Sequence, residues 1–169
     1  MANIEGQGIN QDDLVTFLTL MNTQLSAMLV KLAADTGLDA GTDYTDLTLT
    51  FPSTTISAGG IRSQGDILTF LQNWITVFNA VLAMIDADVG VTAVNWVSTW
   101  AITTPIDSVT AGNLYQTGMN QSQLVNLLQT CITNFAGLTA KLDADGDINT
   151  ATYANDNITD TIITVGCND

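Results

Sequence analysis

The sequence predicts a mainly α protein with short β segments, in which three tandem helical repeats form a pseudo-threefold bundle within a single domain spanning residues 1–169. Two observations predict it. One is internal repetition: LVTFL at Leu14, ILTFL at Ile67 and LVNLL at Leu124 superpose with offsets of 53 and 57 positions, and the same offsets bring KLAADTGL at Lys31 onto MIDADVGV at Met84 and KLDADGDI at Lys141. The other is spacing, since the apolar positions inside each copy recur at intervals of 4 and 3, the period of a helix seam. The copies run over about residues 8–59, 60–117 and 118–169.

Each predicted helix has a seam, a start and a stop. The first seam is Leu14, Leu18, Met21, Leu25, Met28 and Leu32; the second is Ile67, Leu71, Trp74, Phe78, Val81 and Ile85; the third is Leu124, Leu128, Cys131, Phe135, Leu138 and Leu142. A second row (Val15 and Leu29; Leu68, Ile75 and Leu82; Val125 and Ile132) widens each stripe, as a helix embedded in a bundle requires. Trp74, Phe78 and Phe135 are therefore expected in the core. Asn10 to Asp13, Ser63 to Asp66 and Asn120 to Ser122 offer acceptors to the orphan amides of a first turn, which starts the helices near 12, 65 and 121. Gly37 and Gly90 follow the last apolar positions and suit a left-handed stop, which ends the helices near 35, 88 and 145.

Between the helices the chain becomes rich in Thr, Asp and Asn, with one aromatic per copy: Tyr44, Trp96 and Tyr153. A short helical turn is expected around each. LTLTF from Leu47 and TDTIITV from Thr159 alternate or are β-branched, which predicts short returning strands. About ten extended residues can retrace the rise of a helix of roughly 22 residues, so the three long helices can run parallel. PSTTISAGG from Pro52 matches PIDSVTAGN from Pro105, which places the longer second interval in a loop around Leu114 to Thr117.

Composition removes several function classes. Seventeen acids against Lys31, Arg62 and Lys141 give a net charge of -14. No basic patch exists to displace counterions from phosphates or to hold an anionic bilayer, so neither nucleic acid nor membrane is an expected partner. The N-terminus has no basic region followed by an apolar one, and the run Trp74 to Ile85, broken by Thr76 and Asn79, falls short of the ~20 residues that span a bilayer. Two cysteines, Cys131 and Cys167, make no disulfide framework, and reduced thiols are expected. Cys131 sits on a seam, where a thiol acts as a small hydrophobe.

Residues 143–154, DADGDINTATYA, open like a calcium-binding loop. Asp143, Asp145 and Asp147 occupy ligand positions 1, 3 and 5, but the turn glycine is replaced by Ile148 and the closing glutamate by Ala154. The equivalent stretches AADTGLDA and DADVGVTA lack the third acid yet keep an apolar residue after the helix end: Leu38, Val91 and Ile148. The stretch reads as a helix terminator, with Asp143, Asp145 and Asp147 at most a weak cation site. No resident metal or cofactor is expected. With no histidine in the chain, the usual general base, triads and most zinc sites are missing, and acids such as Asp12 and Asp13 read as helix caps. No enzymatic activity is expected.

The predicted outer faces carry neutral residues where a free protein usually has Glu and Lys: Thr16, Thr19, Thr23, Gln24 and Ser26, then Thr69, Gln72, Asn73, Thr76 and Asn79, then Asn126, Gln129, Thr130, Thr133 and Asn134. With 12% charged residues overall, such a surface suits contact with neighbours in an assembly.

IDADVGVTAVNW and KLDADGDINTATY resemble a helix-end segment, Leu-Asp-Ala-Asp-x-Gly-Val followed by a Thr/Asp-rich turn and an aromatic, that recurs in virion proteins of tailed bacteriophages. The likeness covers about a dozen residues per copy; LAADTGLDAGTDY departs from it by losing the first Asp and gaining one residue before Tyr44. It implies a virion structural protein made in the host cytoplasm. Within that class a capsid decoration or cement protein contacting capsid protein, itself able to form homo-oligomers, is the first reading. A neck or fibre-attachment component, or a free acidic adaptor module, is the alternative.

Overall fold

A computed structural model describes residues 11–38, 44, 47, 64–92, 95–103, 121–149 and 152–158. Three helices of 24 residues dominate: α1 (Gln11–Ala34), α2 (Gln64–Ala87) and α4 (Gln121–Ala144). Between the last two lies the short α3 (Trp96–Trp100), and a single 3-10 turn, η1 (Tyr153–Asp156), follows α4. Each long helix begins and ends within one residue of the bounds expected from the capping residues and helix stops. The chain is mainly helical, and no strand occurs among the described residues. Most of the expected β segments, the insertion near Leu114, Arg62, both prolines and Cys167 lie outside them.

One core joins the three long helices. Leu14, Leu18, Met21, Leu25, Leu71, Trp74, Phe78, Leu128, Cys131 and Phe135 are all buried in it. Trp74 stacks on Phe78 with ring centroids 5.2 Å apart, and Phe135 tilts against both rings at 6.0 and 6.3 Å. The Trp74 indole N–H would be orphaned in such a place; it donates to the Met21 carbonyl of α1 at 3.0 Å. That bond ties α2 to α1 at one level of the core.

Two of the expected core residues are less enclosed. Ile67 and Leu124 are half-buried and pack against the core from its margin. They stand in the first turns of α2 and α4, where fewer neighbours close over a side chain. Conversely, Phe17, Phe70 and Leu127 lie beside the seams and are buried, at 2%, 0% and 6% exposure. The offsets 53 and 57 relate these three positions as well, so each helix buries a broader stripe than the seam and its neighbouring row.

Two segments, Leu14–Ala34 and Asp66–Ala87, are long and apolar enough by length and composition to cross a membrane, which the Trp74 to Ile85 run alone is not. Their seam side chains, from Leu18 to Leu32 and from Leu71 to Ile85, pack into the shared core.

Candidate functional site

The most elaborate polar structure lies at the C-terminal ends of the long helices. Each helix closes with a tightened turn, in which Asp35, Asp88 and Asp145 donate their N–H groups three residues back to Leu32, Ile85 and Leu142. The carboxylate of the same aspartate then accepts the N–H two residues on, from Gly37 (2.9 Å), Gly90 (2.8 Å) and Asp147 (3.1 Å). Short acidic side chains suit this local turn, because the carboxylate reaches its own backbone. The next residue, Leu38, Val91 or Ile148, folds back into the core as the sequence predicts.

Gly37 has a reason other than the expected one. Its backbone lies outside the left-handed region, and a Cβ there would overlap the Asp147 carbonyl oxygen. Close approach of the chain after α4 to the end of α1, rather than a left-handed stop, is what demands glycine. The same junction brings the Asn149 N–H to Asp35 Oδ1 at 3.0 Å and the Asn149 amide to the Thr36 hydroxyl at 3.1 Å.

The three loop aromatics are buried at these ends. Tyr44 donates its hydroxyl to Asp88 Oδ2 at 3.4 Å, and Tyr153 donates to Asp35 Oδ2 at 3.2 Å. Trp96 lies beneath the Lys141 ammonium, 4.9 Å from the ring centroid, while Lys31 stands 5.9 Å over Tyr153. Burial first, then the neighbouring Asp88 carboxylate, pushes the Tyr44 phenol well above its ordinary range. It stays protonated and remains a donor.

The three carboxylates of the calcium-like stretch have separate tasks. Asp143 accepts the N–H groups of Tyr153 (2.7 Å) and Ala154 (2.9 Å), capping η1. Asp145 pairs with Lys141 at 2.9 Å. Asp147 accepts from the Thr92 N–H (2.9 Å) and hydroxyl (2.6 Å), bonds that hold its carboxyl below the usual range. Each is directed at a different partner, and no group of three potential metal ligands converges among the described residues. Asp86 repeats the role of Asp143 by accepting from Trp96 N–H (2.8 Å) and Val97 N–H (2.9 Å) at the start of α3. A carboxylate spanning two free amides is a cap, and its negative charge is favoured there.

Part of the neutral outer face is covered by the chain itself. Asn79 pairs with the Ile102 backbone in both directions, donating to its carbonyl and accepting its N–H at 2.9 Å each. Asn134 donates to the Trp100 carbonyl at 2.8 Å, and a Cβ on Gly137 would overlap the Trp100 ring. These two asparagines clamp the segment around α3 between α2 and α4, so the expectation that they face a neighbour is corrected. Their pairing with backbone far along the chain leaves no periodic trace.

What stays exposed on the long helices has one chemistry. Thr16, Thr23 and Val30 are exposed at seven-residue spacing on α1; Thr69, Thr76 and Ala83 on α2; Asn126, Thr133 and Ala140 on α4. None of the exposed residues described on these helices is charged, Lys31, Asp66, Asp86, Lys141 and Asp143 being half-buried, although the whole chain carries -14. Several threonine hydroxyls are satisfied internally: Thr23 donates to the Thr19 carbonyl at 2.9 Å and Thr76 to the Gln72 carbonyl at 2.7 Å, so these donors are already used within their own helices.

Cys131, buried on the seam, has its thiol pushed up to about 12 by desolvation. A thiol so placed is a packing group, since the reactive form is the thiolate.

Comparison with protein families, curated proteins and solved structures finds no match to this chain.

Proposed function

We propose that this chain is a non-enzymatic structural protein of a tailed-phage particle, a decoration or cement protein that sits between capsid subunits and stabilises their contacts. The observation that carries the reading is the charge-free exposed stripe on each long helix of a strongly acidic chain. Exposed helix faces of a free protein are normally rich in Lys and Glu, which keep it soluble. Neutral side chains whose donors are already satisfied lose less on leaving water, and suit an interface. The phage-like helix-end segment supplies the particle.

The reading includes a pseudo-threefold arrangement. Tyr44 of the first copy meets the end of the second helix, Trp96 of the second meets Lys141 at the end of the third, and Tyr153 of the third meets the end of the first. That cyclic order is what three equivalent units around one axis would give. Such a chain offers three similar faces to a site of threefold or quasi-threefold symmetry without needing to trimerise. A partner reached through the helix-end acids would be cationic, which favours protein over nucleic acid.

The test replaces Thr23, Thr76 and Thr133 together by Lys. These exposed positions tolerate the change within about 1 kcal/mol in the isolated chain. Particles mixed with the variant should fail to retain it and should rupture at the lower temperature of particles lacking the protein. Retention equal to wild type, with equal heat resistance, would overturn the proposal.

A further inference from the structure

The three helix-end turns share one form but differ in the residue that follows the aspartate. After Asp35 comes Thr36, after Asp88 comes Val89, and after Asp145 comes Gly146, which makes the only Asp–Gly pair in a chain that has no Asn–Gly pair. In each turn the carboxylate folds over the next peptide to accept the N–H two residues on, which carries its carbon towards the main-chain nitrogen in between. A β-branched side chain crowds that nitrogen in the first two turns, and glycine leaves it open. Gly146 is exposed, and among the described residues no atom apart from its chain neighbours lies within 4 Å of where a Cβ there would sit.

We infer that Asp145–Gly146 is a site of spontaneous main-chain modification, at which the aspartate closes to a succinimide and reopens in part as isoaspartate. The Gly146 nitrogen bonds to the side-chain carboxyl carbon of Asp145, and Oδ2 departs as water. That water takes one proton from the Gly146 amide and one from the Lys141 ammonium, which lies 2.9 Å from Oδ2 and recovers a proton from solvent. Oδ1, which accepts the Asp147 N–H at 3.1 Å, stays as an imide carbonyl. Water then adds to the imide, and opening at its main-chain carbonyl leaves the chain running through the side-chain carbon, longer by one methylene. The longer chain cannot keep the turn that sets Asp147 against Thr92 and Asn149 against Asp35, so each conversion loosens the end of α4 from the ends of α2 and α1. This end of the bundle thus carries a clock that runs with the age of the chain, whether or not the chain belongs to a virus particle.

The test ages the purified full chain in warm neutral buffer and follows it by peptide mapping, with fragmentation that separates isoaspartate from aspartate and detects the succinimide by its lost water. Isoaspartate should accumulate at Asp145 several-fold faster than at Asp35 or Asp88, which occupy the same turn before Thr36 and Val89. Gly146→Val, which installs the residue that the second copy holds at this place, should abolish the signal at Asp145. The converted fraction, separated by charge or retention, should melt at a lower temperature than the fresh chain. Comparison of the three turns within the wild-type chain needs no substitution and decides even if the variant does not fold. Isoaspartate no more abundant at Asp145 than at Asp35 and Asp88, undiminished formation in folded Gly146→Val, or a converted fraction that melts with the fresh chain would overturn the inference.

Discussion

Phe78 has no exposed surface and touches two other aromatic rings, Trp74 at 5.2 Å and Phe135 at 6.3 Å. Its truncation to Ala should cost about 3–5 kcal/mol, the lost transfer energy plus an unfilled cavity, measured by denaturant unfolding. A change near zero would mean that the ring is not in the core. Asp147 makes a different prediction, about pH. Its two bonds from Thr92 lower its folded-state pKa, so the unfolded chain binds the proton first as pH falls. The stabilisation is complete at neutral pH, above the ordinary carboxylate value, and disappears as pH drops through the depressed one. The gap in unfolding free energy between wild type and Asp147→Asn should therefore narrow on acidification; a gap that widens would contradict the assignment. Chelator should leave the melting temperature unchanged, because Asp143, Asp145 and Asp147 serve an amide pair, a lysine and a threonine. A calcium-dependent rise abolished by Asp145→Ala would show instead that they share an ion.

At the scale of elements, the helices were legible because burial leaves a period. Seam residues recur every 3 or 4 positions, and α1, α2 and α4 extend three residues before the first seam position and two beyond the last, close to the bounds that capping residues and helix stops predict. The buried row of Phe17, Phe70 and Leu127 was also available in the repeat offsets, but it lies off the seam and becomes visible only when the three copies are compared position by position. The helix-end joints were legible in part. The apolar anchors Leu38, Val91 and Ile148 stood out, whereas the capping by Asp86 and Asp143 reaches 10 and 11 residues along a loop whose path the sequence does not reveal. Asn79 and Asn134 were misread for the same reason, since their partners are main-chain atoms 23 and 34 residues away. A neutral polar residue at a helix surface looks alike whether it faces a partner protein or its own chain.

For the whole molecule, the central claim is that three similar faces on one acidic, histidine-free chain serve as a joint between subunits. The apolar seams account for cohesion within the chain, and the helix-end network accounts for how each copy is fastened to the next. The exposed neutral stripes are left over from both, and they are the feature that asks for a neighbour. The measurement that tests this most directly is high-resolution imaging of purified particles that carry the chain. The account predicts stoichiometric copies at threefold or quasi-threefold positions, with the faces bearing Thr23, Thr76 and Thr133 against capsid subunits. Particles that contain no copies of the chain, or copies whose stripes all face solvent, would contradict it.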